Sequence, residues 1–282
     1  MHFLIRFSSK KVLTLCYRLT ISLCIALVMA ALVGLVFYIV TNGARFLTRD
    51  LIFGSYSAAN PSMGFAIITT IILVFCALSI SAPLGVATAI YLVEYTNQGS
   101  RTVAFIRLAT ETLAGIPSII YGLFGAILFN NILGFGYSII SGFLTLSIMI
   151  LPVIIRTAEE ALKSVPDSFR EGSFALGAGK LRTLFRIILP AAAPGILASL
   201  TLSIGRIVGE TAVLLFTLGS NARMPNSIFD SSRSLAIHMY INTRDGGMAG
   251  RQTAFAVGTV LIALVLLLNL VTTMLMKKRE ES

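Results

Sequence analysis

The sequence predicts an all-α integral membrane protein with six transmembrane helices. Three observations carry that expectation. Of the 282 residues, 56% are hydrophobic and only 12% are charged, against about 25% charged in an average soluble domain. The apolar residues gather in long uncharged runs, each able to cross a hydrocarbon core about 30 Å thick. The 22 Lys and Arg residues are divided unequally between the connections on alternate sides of those runs.

The chain opens with a short basic segment, 1–18, carrying Arg6, Lys10, Lys11 and Arg18. Leu19 to Thr41 has no charge and is longer than the apolar stretch of a cleaved signal peptide, about 7–15 residues. We read it as a first span, completed at residue 62 by an outer loop with Arg45, Arg49, Asp50 and Asn60-Pro61. Residues 63–276 hold the remaining spans. Met63 to Val93 is the second, with Pro83 and Gly85 placed to bend it. Glu94 to Glu111 is a polar connection. Thr112 to Ile155 is uncharged over 44 residues, enough for two spans. Their boundary is expected at Asn130 to Tyr137, where Asn130-Asn131, Gly134 and Gly136 supply turn chemistry. Gly115, Pro117, Gly122 and Gly125 crowd the first of the two. Small residues let membrane helices approach closely, so this span is expected near the centre of the bundle.

A polar stretch, 156–190, follows with ten charged residues. Ala191 to Leu218 forms the fifth span, Gly219 to Arg251 a second long polar connection, and Thr253 to Met276 the sixth span. A basic tail, 277–282, ends the sequence. Connections on the N-terminal side hold 15 of the basic residues, those opposite hold 6, and Arg206 lies within a span. The positive-inside rule therefore places both termini and the 156–190 stretch in the cytoplasm.

Several classes of function lose support here. The net charge of +10 sits at the ends of apolar runs, not in a stripe interleaved with aromatics, so no nucleic-acid partner is expected beside the surrounding lipid. Cys16, Cys24 and Cys76 have no metal or redox spacing, and His2 and His238 are isolated, so no metal site is expected. No nucleophile–base pattern supports an intramembrane enzyme.

Two charges fall inside the fifth span. Arg206 lies about 18 Å along a helix from Pro194, near mid-bilayer. An arginine there costs about 2.5–3.5 kcal/mol on insertion scales, so it should face the bundle interior, a pathway or a partner. Glu210, four residues on, is expected on the same helical face. Either the two form a neutralising ion pair, or Arg206 meets an anion on its route with Glu210 as orienting partner or gate. A guanidinium suits an oxyanion because it can bind it bidentately. Gly205 and Gly209 form a small-xxx-small pair suited to close helix packing, including against a second subunit. Arg156 is a weaker candidate for the same route, equally explained as a cytoplasmic anchor.

The 156–190 stretch is either a plain connection or the place where a soluble protein grips the membrane protein. Asp167 or Ser168 can cap a helix after Val165-Pro166, Gly177 and Gly179 break it, and Lys180 to Ile188 resumes. A short projecting helix of this kind suits docking into a groove. Glu171-Gly172-Ser173, then Gly177, Ile187 and Leu189-Pro190, are spaced as in the EAA loop of ABC importer permeases, which they resemble. Gly172 and Ser173 stand where that family carries alanines, and both remain small. Ala114 to Gly125 and Gly205 to Thr211 are similar to stretches of the permeases of the phosphate-specific ABC importer, the latter most like its PstA-type subunit.

The resemblance implies the type I importer permease architecture in a bacterial cytoplasmic (inner) membrane. It implies a coupling helix around Glu171 to Gly177 seated in a cytosolic ATPase dimer, and Arg206 and Glu210 on the phosphate route. A PstC-type sister permease and an extracytoplasmic phosphate-binding protein would complete the complex. ATP and Mg would be bound by the ATPase partner, with no cofactor in this chain. Gly177 to Leu181 mimics part of a phosphate-binding loop, but Leu181 stands where Ser or Thr is required. A permease for another oxyanion, or an ion-coupled carrier, is the alternative.

Overall fold

The computed structural model describes residues 2–57, 60–96 and 99–280, with side chains from 13 to 274. The basic residues counted at the two ends of the chain, apart from Arg18, lie outside the described side chains. Helix α1 (His2–Ala44) is followed by a short α2 (Arg49–Phe53) and by α3 (Gly64–Ile90), which ends in a π-helical turn, Tyr91–Tyr95. Next come α4 (Arg101–Ala114), α5 (Ser118–Gly125) with a π-helical continuation Ala126–Ile132, and α6 (Ile139–Lys163). The polar stretch forms α7 (Asp167–Ala175) and α8 (Lys180–Thr183), joined by a π-helical turn, Leu184–Ile188, to α9 (Leu189–Gly209). Helices α10 (Ala212–Thr217), α11 (Leu235–Asp245) and α12 (Gly247–Glu280) complete the chain.

Five helical stretches are long and apolar enough to cross a membrane, and α4 with α5, bent by 98°, makes a sixth crossing when counted as one span. Helices α3, α6 and α9 pack on one another around the main apolar core, which includes Leu73, Leu146, Ile150, Ile154 and Ile207. Gly85 lets α3 approach Ile154 on α6, and Gly195 lets α9 approach Ala161. Helix α1 lies at the periphery. It leans on α12 near its end, where Gly43 meets Phe255 and Thr259, while its side chains from Leu13 to Phe37 stay exposed.

Three boundaries differ from the sequence expectation. The connection after Glu94 is largely helical: α4 buries Val103 against Leu92 and Ile155 and leaves Phe105 and Leu108 exposed. The third crossing is therefore broken by a sharp bend at Gly115 to Pro117, with α4 on one side of it and α5 on the other. Proline has no N–H to continue the helix and pushes the residue before it out of helical geometry. The fifth span breaks after Gly209, with Glu210 in an extended conformation. The connection Gly219 to Arg251 contains α11 and the first turn of α12, because Leu235, Ala236, Ile237 and His238 are buried there. The expected division at Asn130 to Tyr137 is present. Gly134 (φ 71°) and Gly136 (φ 61°) adopt left-handed turns, and the Ser138 hydroxyl oxygen accepts the Ser141 N–H to start α6.

The expected crowding around α5 is also present. A Cβ at Gly125 would run into Thr145 and Thr217, and one at Gly122 would lie 3.0 Å from Val213 Cα. Gly205 and Gly209 have open space instead. Gly125→Ala should therefore destabilise the detergent-solubilised chain by about 1–3 kcal/mol through overpacking, and Gly205→Ala should leave its thermal midpoint unchanged.

His238 pins α11 to the connection between α2 and α3. The buried ring donates from Nε2 to the Pro61 carbonyl (3.2 Å) and packs edge-on against Phe65 and Tyr56. Burial, with Arg233 nearby, lowers its pKa to about 4. The unfolded chain binds the extra proton between that value and the ordinary 6.5, so stability is full above pH 6.5 and falls as pH drops toward 4. Between about pH 7.5 and 5 the loss should approach about 2 kcal/mol. Thermal unfolding of the His238→Gln variant should show a correspondingly flatter pH response.

Candidate functional site

Two places concentrate the polar chemistry: a crossing of broken helices inside the bundle and the loop between α6 and α9. At the first, Arg206 occupies the last turn of α9, where the partial negative charge of a helix C-terminus favours a cation. It is half-buried and has no hydrogen-bond or ion-pair partner among the described residues. The expected sharing of one helical face with Glu210 is not realised, because α9 ends between them. Glu210 Oε1 instead accepts the Val213 N–H (3.2 Å) at the start of α10. Each charge thus serves a helix end of opposite partial charge.

The bend between α4 and α5 lies against this break. Gly122 brings α5 onto Ala212 and Val213, directly after Glu210. The Tyr121 hydroxyl donates to the Leu113 carbonyl across the bend (2.9 Å), and the Arg206 charge acts electrostatically on that hydroxyl. Tyr121 carried no sequence signal beyond lying in a glycine-rich apolar run. The arrangement leaves a guanidinium available to an anion where two interrupted helices meet. Arg156 is elsewhere in character: it is 62% exposed on α6 and pairs with the equally exposed Glu160 at 3.3 Å, an interaction worth about 0–1 kcal/mol.

The loop between α6 and α9 is ordered by its own bonds. Gly177 has φ +79°, a left-handed conformation that glycine adopts without a steric cost. The Gly177 N–H donates to Phe174 O (2.9 Å) and the Ala178 N–H to Ser173 O (3.1 Å), the paired bonds of a Schellman cap on α7. Ser173 is buried, and its hydroxyl bonds that of Thr183 on α8 (2.8 Å). Gly172 has nothing within 4 Å of a Cβ, and Glu171 is exposed. Ile187 and Leu189 pack on a second apolar cluster that includes Ala158, Leu162, Leu184 and Ile188, and Pro190 stands exposed in the first turn of α9.

Three ion pairs brace this end, two of them between segments too far apart for spacing to reveal. Arg170 meets Glu94 at 2.9 Å, and the buried Glu159 holds both Arg107 (2.7 Å) and Lys163 (2.6 Å). Meanwhile Phe169, Phe174, Leu181 and Phe185 are exposed, and Leu176 is 90% exposed. The loop thus combines a well-formed helix cap with a set of uncovered apolar side chains.

Residues 81–280 match the family model described as binding-protein-dependent transport system inner membrane component. The probable ABC transporter permease protein YqgI of Bacillus subtilis is 36% identical over 277 residues, covering 91% of this chain and 94% of that protein. The phosphate transport system permease protein PstA of Xylella fastidiosa is 34% identical over 212 residues, covering 75% of this chain and 72% of that one. PstA 1 of Mycobacterium tuberculosis is 39% identical over 198 residues, covering 70% of this chain and 64% of that protein. Among solved structures, an inward-facing form of the MetNI methionine ABC transporter superposes with a TM-score of 0.59 at 20% identity, covering 77% of this chain and 94% of its own. That likeness concerns the fold, a type I importer permease. With α-helical spans, a capped loop between two of them and a family match over most of its length, the chain belongs to the inner-membrane components of binding-protein-dependent transport systems, the permeases of ABC importers.

Proposed function

We propose that this chain is the PstA-type permease of an ATP-driven importer of inorganic phosphate and forms half of its translocation path. The observation that carries the substrate class is Arg206, an unpaired, half-buried guanidinium inside a span at the meeting of two broken helices. The phosphate-transport relatives support the choice of oxyanion. Interrupted helices at mid-membrane are a recurrent way to bring polar groups to a transported ion. Arg206 and Glu210 are the route residues on this reading, and Arg156 contributes at most to the field near the inner mouth.

The second half of the proposal concerns coupling. Helix α7, with Glu171, Gly172, Ser173 and Gly177, seats in one subunit of a cytosolic ATPase dimer. Its exposed Phe169, Phe174 and Leu176 supply the apolar contact. ATP and Mg are held by that dimer. Ile187, Leu189 and Pro190 join the docking helix rigidly to α9, so a displacement at the ATPase reaches the span that bears Arg206. A PstC-type sister permease covers the open glycine face at Gly205 and Gly209. An extracytoplasmic phosphate-binding protein delivers substrate to the outer segments around Gly219 to Arg251. Both termini lie in the cytoplasm, as the charge asymmetry requires.

Arg206→Lys keeps the charge and loses the planar fork. Phosphate uptake by the assembled complex should fall about ten-fold or more, with the partner subunits still co-purifying. Uptake at the parent rate, or equal loss of sulfate and phosphate transport in a complex that carries both, would remove the assignment. In the loop, Gly177→Val should weaken recovery of the ATPase with the purified chain, because a β-branched residue is strongly disfavoured at positive φ. Gly177→Asn, which tolerates that conformation better, should retain most of it. Equal recovery in the two variants would detach docking from the cap.

A further inference from the structure

We infer that Glu94 and Tyr95, the last turn of α3, are a clamp through which the coupling loop drives α3, so that α3 transmits the stroke to the outer face. The inference rests on the reading of α7 as the ATPase-docking helix. Three observations lead to it. Arg170 on α7 donates from two nitrogens to Glu94 Oε1, at 3.1 and 2.9 Å, and the two side chains are only 15% and 10% exposed. The same guanidinium also donates to the carbonyls of Leu162 (3.1 Å) and Val165 (2.9 Å) and to Asp167 (3.1 Å), so its position is fixed from several sides. Lys180 on α8 stands over the Tyr95 ring at 4.7 Å. Both halves of the loop therefore hold the same π-helical turn, Tyr91–Tyr95, and the Ser173–Thr183 hydroxyl bond joins those halves into one body.

The other end of α3 is tied just as specifically. Thr69 shares a hydrogen bond with Ser232 (2.9 Å), and Thr70 Oγ1 accepts the Leu235 N–H that opens α11 (2.9 Å). These anchors lie about 38 Å from Glu94 at the helical rise. A helix fixed to the docking loop at one end and to the outer segments at the other carries a displacement between them. Glu94 and Arg170 are positioning residues in this scheme and touch neither substrate nor nucleotide. A buried pair of this kind leaves an uncompensated charge when one member is removed.

The test uses the complete complex in proteoliposomes and reads ATP hydrolysed per substrate imported. In a background with Cys16, Cys24 and Cys76 replaced by serine, Glu94→Cys combined with Arg170→Cys should raise that ratio roughly five-fold or more, the lower end of ordinary coupling energies. Joining the two cysteines with a short bis-maleimide should return the ratio to within about two-fold of the parent. A double variant as tightly coupled as the parent, or a cross-link that fails to restore coupling, overturns the clamp. Failure of the unsubstituted chain to recover an ATPase would instead overturn the docking reading on which the clamp depends.

Discussion

Hydrocarbon offers no hydrogen bonds, so a helix that breaks inside a membrane must satisfy its freed backbone groups from within the protein. The rest of this structure depends on how that is done at two places. At the break in the fifth span, Glu210 takes the Val213 N–H. At the bend before α5, the Tyr121 hydroxyl takes the Leu113 carbonyl. The Asn130 side chain supplies a third bond, donating to the Phe216 carbonyl in the last turn of α10. The first two bonds are local to their own breaks, and Asn130 ties the segment after α5 to α10 across 86 positions. Gly122 and Gly125 give the backbone approach that lets them meet.

The same constraint explains the different fates of the charges. Glu159 is buried, and two cations from different helices hold it. Glu94 is buried against Arg170. Both lie toward the loop, where they act as braces. Among the described residues Arg206 has no such partner, and it sits at a helix end whose partial negative charge favours a cation. That unpaired guanidinium is the basis for the proposal that Arg206 lies on an anion route.

Much of this could be read from the sequence. Run lengths gave the spans, and Asn130 to Tyr137 gave the turn between two of them. What could not be read was long-range or conformational. The Arg206–Glu210 relation looked helical because residues four apart share a face in an unbroken helix, and nothing near Gly209 announces that the helix ends. The pairing of Arg170 with Glu94 spans 76 positions, beyond any local pattern. Helix α4 was hidden because its amphipathic residues were interspersed with arginines and read as a connection. The role of Gly177 was legible only as a breaker, whereas its left-handed φ makes it the cap that shapes α7.

The uncovered side chains of the loop have a consequence for how the protein is made. Phe169, Phe174, Leu176, Leu181 and Phe185 are held in place by a rigid scaffold and cannot fold away when no partner is present. If α7 docks the ATPase as proposed, a copy synthesised in excess of that partner would carry an adhesive patch, a target for chaperones and membrane proteases. On that reading balanced synthesis of the subunits protects the chain, and the proposed docking surface doubles as the mark of an unassembled copy.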